Sequence, residues 1–413
     1  MSSPTGARDV RMRGFSERAT VEAALAWIDT NCHALPEENV SLAEACGRVL
    51  ARPLIAGMNV PPFHRAAMDG YAIRAEETTG SSDYSPTLFQ VIGQVCPGMA
   101  PVGEVRPGQA LRIMTGAPLP PGADAVVPAE FARETAGTVE LTQAVSPGKH
   151  VGSCGEDVQA GQTLLPAGHR LRPQDVGVLA ALGQVVVSVV RQPRVKIIVT
   201  GDELVLPGEP RGEYQIYEVN SFLLRGLIAR DGGLLVEVQR VRDERELVRQ
   251  ALQQADCDLL LISGGTSVGA EDHAPLLLAE LGELAIHGIA MRPSSPAGMG
   301  RIGSIPVFLL PGNPVSCLCA YDFFAGRALR LAGGLPAAWP YRRMTAPLSR
   351  KIASAIGRVD YCRVRVTEVG VEPLALSGAS ILSSTVRADG FVIVPAESEG
   401  AAPGTLVEVY LWN

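Results

Sequence analysis

Between about residues 191 and 334, short β-branched and aliphatic runs alternate with longer amphipathic ones, and no other feature of this 413-residue chain restricts its fold so tightly. Val195 to Val199, Leu234 to Val241, Leu259 to Ile262 and Val307 to Leu310 read as strands. Ser221 to Arg230, Glu244 to Ala255 and Val315 to Leu331 read as the helices that accompany them. A chain written this way builds an α/β layer, and ligands of such layers sit outside the carboxyl ends of the strands. The residues that follow each strand therefore carry the functional argument.

Four strand ends run into glycine-rich or acidic loops. The first leads to Thr200-Gly201-Asp202-Glu203 and the second to Arg242-Asp243. The third leads to Ser263-Gly264-Gly265-Thr266-Ser267-Val268-Gly269, with Asp272 just beyond, and the last to Pro311-Gly312-Asn313-Pro314. Carboxylates gathered at one rim repel each other, and a hard cation such as Mg²⁺ relieves that repulsion while bridging to phosphate oxygens. The Ser263–Thr266 turn can aim successive backbone N–H groups into a concavity that small side chains leave open to a phosphate. Each loop alone is an ordinary turn; their common placement predicts a metal-assisted site for a phosphorylated ligand.

The flanking sequence has a different texture. A first segment reads as helical, with Thr20 ahead of Val21, Ala24, Leu25 and Ile28, and with Ser41-Leu-Ala-Glu44 spaced as a capping box. Short β-type runs broken by Pro and Gly then fill about 61–151, among them Phe89 to Val95 and Ala110 to Met114. Gln162 to Leu165 reads as a strand and Pro173 to Leu182 as a helix, and β-rich sequence returns after Gly334, in Val364 to Val369, Phe391 to Val394 and Leu406 to Leu411. The expected division is a discontinuous framework of 15–60 with 152–190, an inserted β-rich module at 61–151, an α/β domain at 191–334 and a C-terminal β domain at 335–413. The fold class is thus multidomain, α+β combined with α/β.

Composition sets the outer limits. A net charge of −7 argues against a general nucleic-acid binder, and no apolar run reaches the length of a membrane span. The first residues carry charge without an apolar stretch behind them, so a cytoplasmic protein is expected. Eight scattered cysteines do not make a disulfide scaffold, and Cys317 with Cys319 reads as a pair of buried thiols. His33, His150, His169 and His287 lack metal-ligand spacing and receive no role.

Several of these motifs together resemble a known family. Pro61-Pro-Phe63 with Ala67-Met-Asp69-Gly-Tyr-Ala72 is similar to the signature of molybdopterin molybdenumtransferases, which include bacterial MoeA and the gephyrin E domain. So are Arg112-Ile-Met-Thr-Gly-Ala117, Gly155-Glu-Asp157, Thr200-Gly-Asp-Glu-Leu204, Ser263-Gly-Gly265 with Ser267-Val-Gly269, and Pro311-Gly-Asn-Pro-Val-Ser316, in the family's order along nearly the whole chain.

The resemblance implies an elongated four-domain subunit with a molybdopterin-binding α/β domain and a C-terminal β-barrel. It also implies a homodimer whose cleft is shared with the partner's inserted module. The implied reaction takes adenylylated molybdopterin and molybdate, cleaves the adenylate with Mg²⁺, and yields molybdenum cofactor and AMP. The adenylylating enzyme and recipient molybdoenzymes are implied as transient contacts. On this likeness Glu203, Asp243 and Asp272 would hold the metal, with Thr115 and Asp157 contributing to catalysis. Asp69, Thr200, Gly201, Asp202, Ser263, Gly264, Gly265, Ser267, Gly269, Arg292 and Pro311 to Pro314 would line the substrate, and Arg358, Arg363 and Ser383 would contact molybdate. Three positions depart from the family pattern: His64 stands where Asp is usual, Arg292-Pro-Ser-Ser-Pro296 where Lys-Pro-Gly-Lys-Pro is typical, and Ala379 where Ser is common. Two alternatives keep the same cleft: a cofactor-binding or delivery protein, and a tungstate-preferring paralogue.

Overall fold

The computed structural model describes residue 15 and residues 17–266, 272–375 and 378–412. They form two compact units: one takes the N-terminal helix, Gly47–Ala51 and everything from Ser188 onward, and the other takes Val40–Cys46 and Arg52–Val187. The segments expected to form one framework, 15–60 and 152–190, are divided between the two units. Among the described residues no helix is long and apolar enough to cross a membrane.

The first unit opens with α1 (Val21–Asn31), whose N-terminus is capped where the sequence placed the cap, Thr20 Oγ1 accepting from Ala23 N at 3.1 Å. The α/β layer follows in the order β1 (Arg194–Thr200), α2 (Asn220–Arg230), β2 (Leu234–Val241), α3 (Arg245–Gln253), β3 (Leu259–Ser263), α4 (Ala274–Leu281), β4 (Glu283–His287), β5 (Gly298–Ile302) and β6 (Ile305–Leu310). Helices α5 (Pro314–Ala320) and α6 (Gly326–Ala332) close it, joined by a π-helical turn, so the single helix expected at 315–331 is interrupted at Tyr321–Ala325.

The six strands lie in the order β2-β1-β3-β6-β5-β4. The first four run parallel, and β5 is antiparallel to both its neighbours. Alternate residues of β1 and β3 serve opposite faces. Ile198, Leu260 and Ile262 pack under α3 and α4, while Ile197, Val199 and Leu261 pack under α2, α5 and α6. Burial on both faces explains why these strands read as continuous apolar runs. The chain leaves β1 toward β2 and then crosses to β3 on the other side, so the loops after β1 and β3 part at a crevice.

The C-terminal strands β7 (Arg342–Pro347), β8 (Val359–Thr367), β9 (Gly370–Ala375), β10 (Gly390–Val394) and β11 (Leu406–Leu411) pair in the order β7-β11-β10-β8, with β9 on β8. A parallel bridge between Leu348 and Val371 brings the two edges together, so the sheet curls into a small barrel. The barrel is tied to the α/β layer within the same core, where Phe391 stacks between Tyr361 and Tyr410. Fully buried Asp322 accepts hydrogen bonds from Arg230 and Tyr341 beside it.

The second unit is built on a six-stranded sheet ordered 125–128, 70–73, 109–113, 87–95, 138–141 and 132–135, with an apolar cluster on each face. Ser41 does not start an α-helix: Leu42–Glu44 is one 3₁₀ turn, and the Ser41 hydroxyl donates to the Glu44 carboxylate at 2.6 Å instead of accepting from backbone. With no apolar periodicity after Glu44 to bury, the capping motif has nothing to propagate.

Candidate active site

The strand ends converge. A cavity of about 830 Å³ is lined by Thr200, Gly201 and Glu203 at the end of β1, Asp243 after β2, Ser263, Gly264 and Gly265 at the end of β3, and Pro311, Gly312, Asn313 and Pro314 after β6. Asp272 joins them from the start of the α4 approach. Ser267 and Gly269 lie outside the described residues.

Local geometry explains the glycines. Gly264 and Gly265 have φ of +91° and +57°, in the left-handed region that L side chains avoid. A Cβ on Gly264 would also stand 2.1 Å from the Thr200 carbonyl oxygen, so the loops after β1 and β3 approach as closely as backbone allows. Asp202 and Asp243 brace the same rim reciprocally: Asp202 N donates to Asp243 Oδ2 at 3.2 Å, and Asp243 N donates to Asp202 Oδ1 at 3.3 Å. Asp202, assigned to substrate, does not line the cavity and acts through this brace.

Thr266, the last residue of the turn named from sequence, also lines the cavity, and so do Glu218 and Asn220, polar residues that the sequence reading missed. Glu218 accepts from Ser221 N at 2.8 Å and fixes the start of α2. Asn220 Nδ2 donates to Gly312 O at 2.7 Å and Ser263 Oγ at 2.9 Å, which leaves its buried Oδ1 as an acceptor with no partner among the described residues. Thr200 Oγ1 is buried and without a partner in the same way. Such groups cost free energy unless a ligand meets them. Asn220 begins a helix in sequence and carries no signal that distinguishes it from a helix terminus.

Among the described residues no three acidic, histidine or cysteine side chains gather as a ready-made cage. Glu203, Asp243 and Asp272 nonetheless face one cavity as hard oxygen donors. Mg²⁺ is commonly held by one or two carboxylates together with ligand phosphates, so this donor set fits a cation shared with the substrate.

A second cavity of about 600 Å³ adjoins the first, sharing Pro296, Pro311 and Asn313 with it. Arg18, Arg292, Ser294, Ser295 and Arg358 line it, with Gly378 and Ala379 from the barrel. Arg292 Nε donates to Asp360 Oδ1 at 3.0 Å, its Nη2 contacts the other oxygen, and Arg358 Nε lies 3.4 Å from the same carboxylate. Ser294 stands where glycine is typical and has φ +86°; its hydroxyl donates to Ser316 O at 2.5 Å.

Two of the three residues assigned to molybdate fall elsewhere. Arg363 is fully buried in β8 and lines neither cavity, because both faces of that strand are covered from Val359 to Val364. Burial pushes its guanidinium below the usual range. Ser383 is exposed at the start of the short helix Ser383–Val386. The serine of that loop that reaches the first cavity is Ser380, whose Oγ donates to Asn313 Oδ1 at 2.7 Å. Cys317 and Cys319 are buried thiols as expected, and burial pushes Cys317 up to about 12.

In the second unit, Asp69 Oδ1 accepts from Thr115 N at 2.6 Å and from Thr115 Oγ1 at 2.8 Å, and these bonds hold its carboxyl below the usual range. Thr115 lines a cavity of about 420 Å³ with Arg65, His150 and Glu156, while Asp157 is exposed and outside it. His64 Nδ1 accepts from Cys154 N at 3.3 Å.

Comparison with known proteins gives this geometry a lineage. Residues 19–183 match the MoeA N-terminal region (domain I and II), 196–330 a probable molybdopterin binding domain, and 345–412 the MoeA C-terminal region (domain IV). Molybdopterin molybdenumtransferase 2 of Mycobacterium tuberculosis is 35% identical over 388 residues, which cover 90% of this chain and 94% of that protein. The chain belongs to the MoeA family. Another MoeA relative, molybdopterin molybdenumtransferase of Haemophilus influenzae, is 31% identical over 91% of this chain and 94% of its own. A crystal structure of a molybdopterin biosynthesis MoeA protein from Pyrococcus horikoshii superposes with a TM-score of 0.83 at 33% identity, covering 96% of this chain and 100% of that one.

Proposed function

We propose that this MoeA-family chain is a molybdopterin molybdenumtransferase, taking adenylylated molybdopterin and molybdate and releasing AMP and molybdenum cofactor in a Mg²⁺-dependent step. The observation that carries the reading is the adjacency of two unlike cavities, one with glycine-backed loops and carboxylates, the other with arginines, joined at Pro296, Pro311 and Asn313. The names of the relatives support the same chemistry.

The chain's own residues divide the work. Gly264 and Gly265 let the turn after β3 pack directly on Thr200 while lining the cavity, where its backbone N–H groups would meet a phosphate. Asn220 Oδ1 and Thr200 Oγ1 are acceptors for N–H groups of the ligand. Glu203, Asp243 and Asp272 would hold Mg²⁺, which supplies charge neutralisation for the carboxylates and ligand phosphates when bound. Arg292 and Arg358 hold the oxyanion close to the pterin end. A homodimer would let Thr115 and Asp69 of the inserted module join the cleft of a second copy, and the cytoplasm is the proposed location.

The test is direct. Purified protein, adenylylated molybdopterin, molybdate and Mg²⁺ are combined without oxygen, and AMP is quantified with and without a chelator. AMP release that depends on molybdate and stops on chelation is expected. Release at the level of a protein-free blank, with pterin still bound, would replace the transferase by the delivery protein.

A further inference from the structure

In the second cavity Arg292 and Arg358 both turn toward Asp360, a fully buried carboxylate that also accepts from Ser354 Oγ at 2.6 Å. Two guanidiniums against one carboxylate leave a single formal positive charge, whereas a tetrahedral oxyanion such as molybdate carries two negative ones. The cavity has one more cation within reach, and it comes from the far end of the chain.

That cation is Arg18. Its Nε donates to Ser295 Oγ at 2.8 Å, which leaves the two Nη groups of the fork with no hydrogen bond or ion pair among the described residues. The segment bearing it is fastened on both sides. Ala19 N donates to Gly288 O at 3.0 Å and Ala290 N donates to Ala19 O at 2.8 Å, adding a short parallel bridge between Ala19 and Ile289. Phe15 lies edge-on to His287, 4.9 Å between ring centroids, and over Gly288, where a Cβ would stand 2.5 Å from its ring. These contacts hold Arg18 beside the loop that carries Arg292 and Ser295.

We propose that Arg18 is the second oxyanion-binding cation of this chain, hooked in place by Ser295 at the position where the family pattern has lysine. The proposal rests on the oxyanion occupying the second cavity. The second positive charge then comes from the N-terminal segment, with Ser295 as its anchor. Arg18 brings the cavity to two formal positive charges, matching the ligand.

Inorganic molybdate is the probe, with binding measured by equilibrium dialysis and steady-state AMP release giving KM for molybdate and kcat. A charge-assisted contact of this kind predicts that Arg18→Ala raises both Kd and KM about tenfold with kcat held within about twofold. Arg18→Lys recovers part of the loss, and Ser295→Lys in the Arg18→Ala background recovers most of it. Arg358→Ala, raising Kd on its own, marks the oxyanion site independently. An unchanged Kd in Arg18→Ala beside a raised Kd in Arg358→Ala overturns the role of Arg18 and spares the site. Unchanged values in both overturn the site as well. Thermal melting of each variant, and Arg18→Gln as a second neutral substitution, guard against reading a folding defect as lost binding.

Discussion

The first cavity takes most of its walls from strand ends that the chain visits in order, whereas the second is closed by Arg18, the 290–296 loop, the 355–358 turn and the 378–379 loop. One site follows from topology: once β1, β2, β3 and β6 are parallel neighbours, their loops share a rim. The other follows from docking a barrel and an N-terminal segment against that layer, a result with no local code. The first is acidic and glycine-backed, the second cationic. Joined, they suit a ligand whose phosphates need a metal and a co-substrate that is itself an anion.

The hardest test of the acidic half is Asp243→Ala. Removing a group aimed at developing charge commonly costs on the order of 100-fold or more in turnover, and Asp243 lies after β2 on the rim, outside the apolar clusters. AMP release should therefore collapse while the melting curve stays close to wild type. Full activity would leave the acidic rim as a bracing element for Asp202 and detach it from the chemistry.

Gly264→Ala probes the cradle with a smaller effect. The new Cβ would meet Thr200 O, and the φ of +91° is unfavourable for alanine in any surroundings. Strain of about 1–3 kcal/mol at such a position corresponds to roughly 5- to 150-fold weaker AMP binding if the loop must deform. Calorimetry on AMP reads it. Unaltered AMP affinity would mean that the phosphate sits elsewhere in the cavity.

What the sequence made legible follows the same divide. The inner strands β3 and β6 were visible because burial on both faces writes them as aliphatic runs, and the cavity residues that come after β1, β2, β3 and β6 followed from asking what ends each strand, whereas Ile216 to Asn220, Pro296, Ser380 and Leu382 did not. The antiparallel pair β4 and β5 was not, since Gly298 and Gly300 give β5 no β-branched signal. Those glycines are there for approach: a Cβ on Gly300 would stand 1.8 Å from Glu283 O. Arg363 misled because a cation beside a motif reads as a surface group, while here it lies inside a covered strand. Asn220 and Arg18 were invisible for one shared reason: their partners are 43 and 277 residues away, at Ser263 and Ser295.

Asp360→Asn should move the second cavity in two directions at once. Losing the buried charge leaves Arg292 and Arg358 without their counter-ion, and molybdate should bind about threefold tighter as the cavity gains a net positive charge. Stability should fall by about 1–2 kcal/mol in urea denaturation, less than for a sealed pair because both guanidiniums keep some contact with water. Weaker molybdate binding would show that Asp360 sets the arginine geometry more than it offsets their charge.

The smallest effect is expected from Ser295→Lys in the otherwise unaltered chain. If the cavity were short of positive charge, restoring the family's lysine would tighten molybdate use substantially. Arg18, however, already hangs on Ser295 Oγ. A lysine there removes the hook and repels the guanidinium, so one cation displaces another and the net charge facing the ligand hardly changes. KM for molybdate should stay within about twofold of wild type, since the exchange of one exposed cation for another in water is worth well under 1 kcal/mol. A tenfold fall in KM would mean that Arg18 had not been supplying the missing charge, and the second cavity would then be an unfinished version of the family's site instead of a rebuilt one.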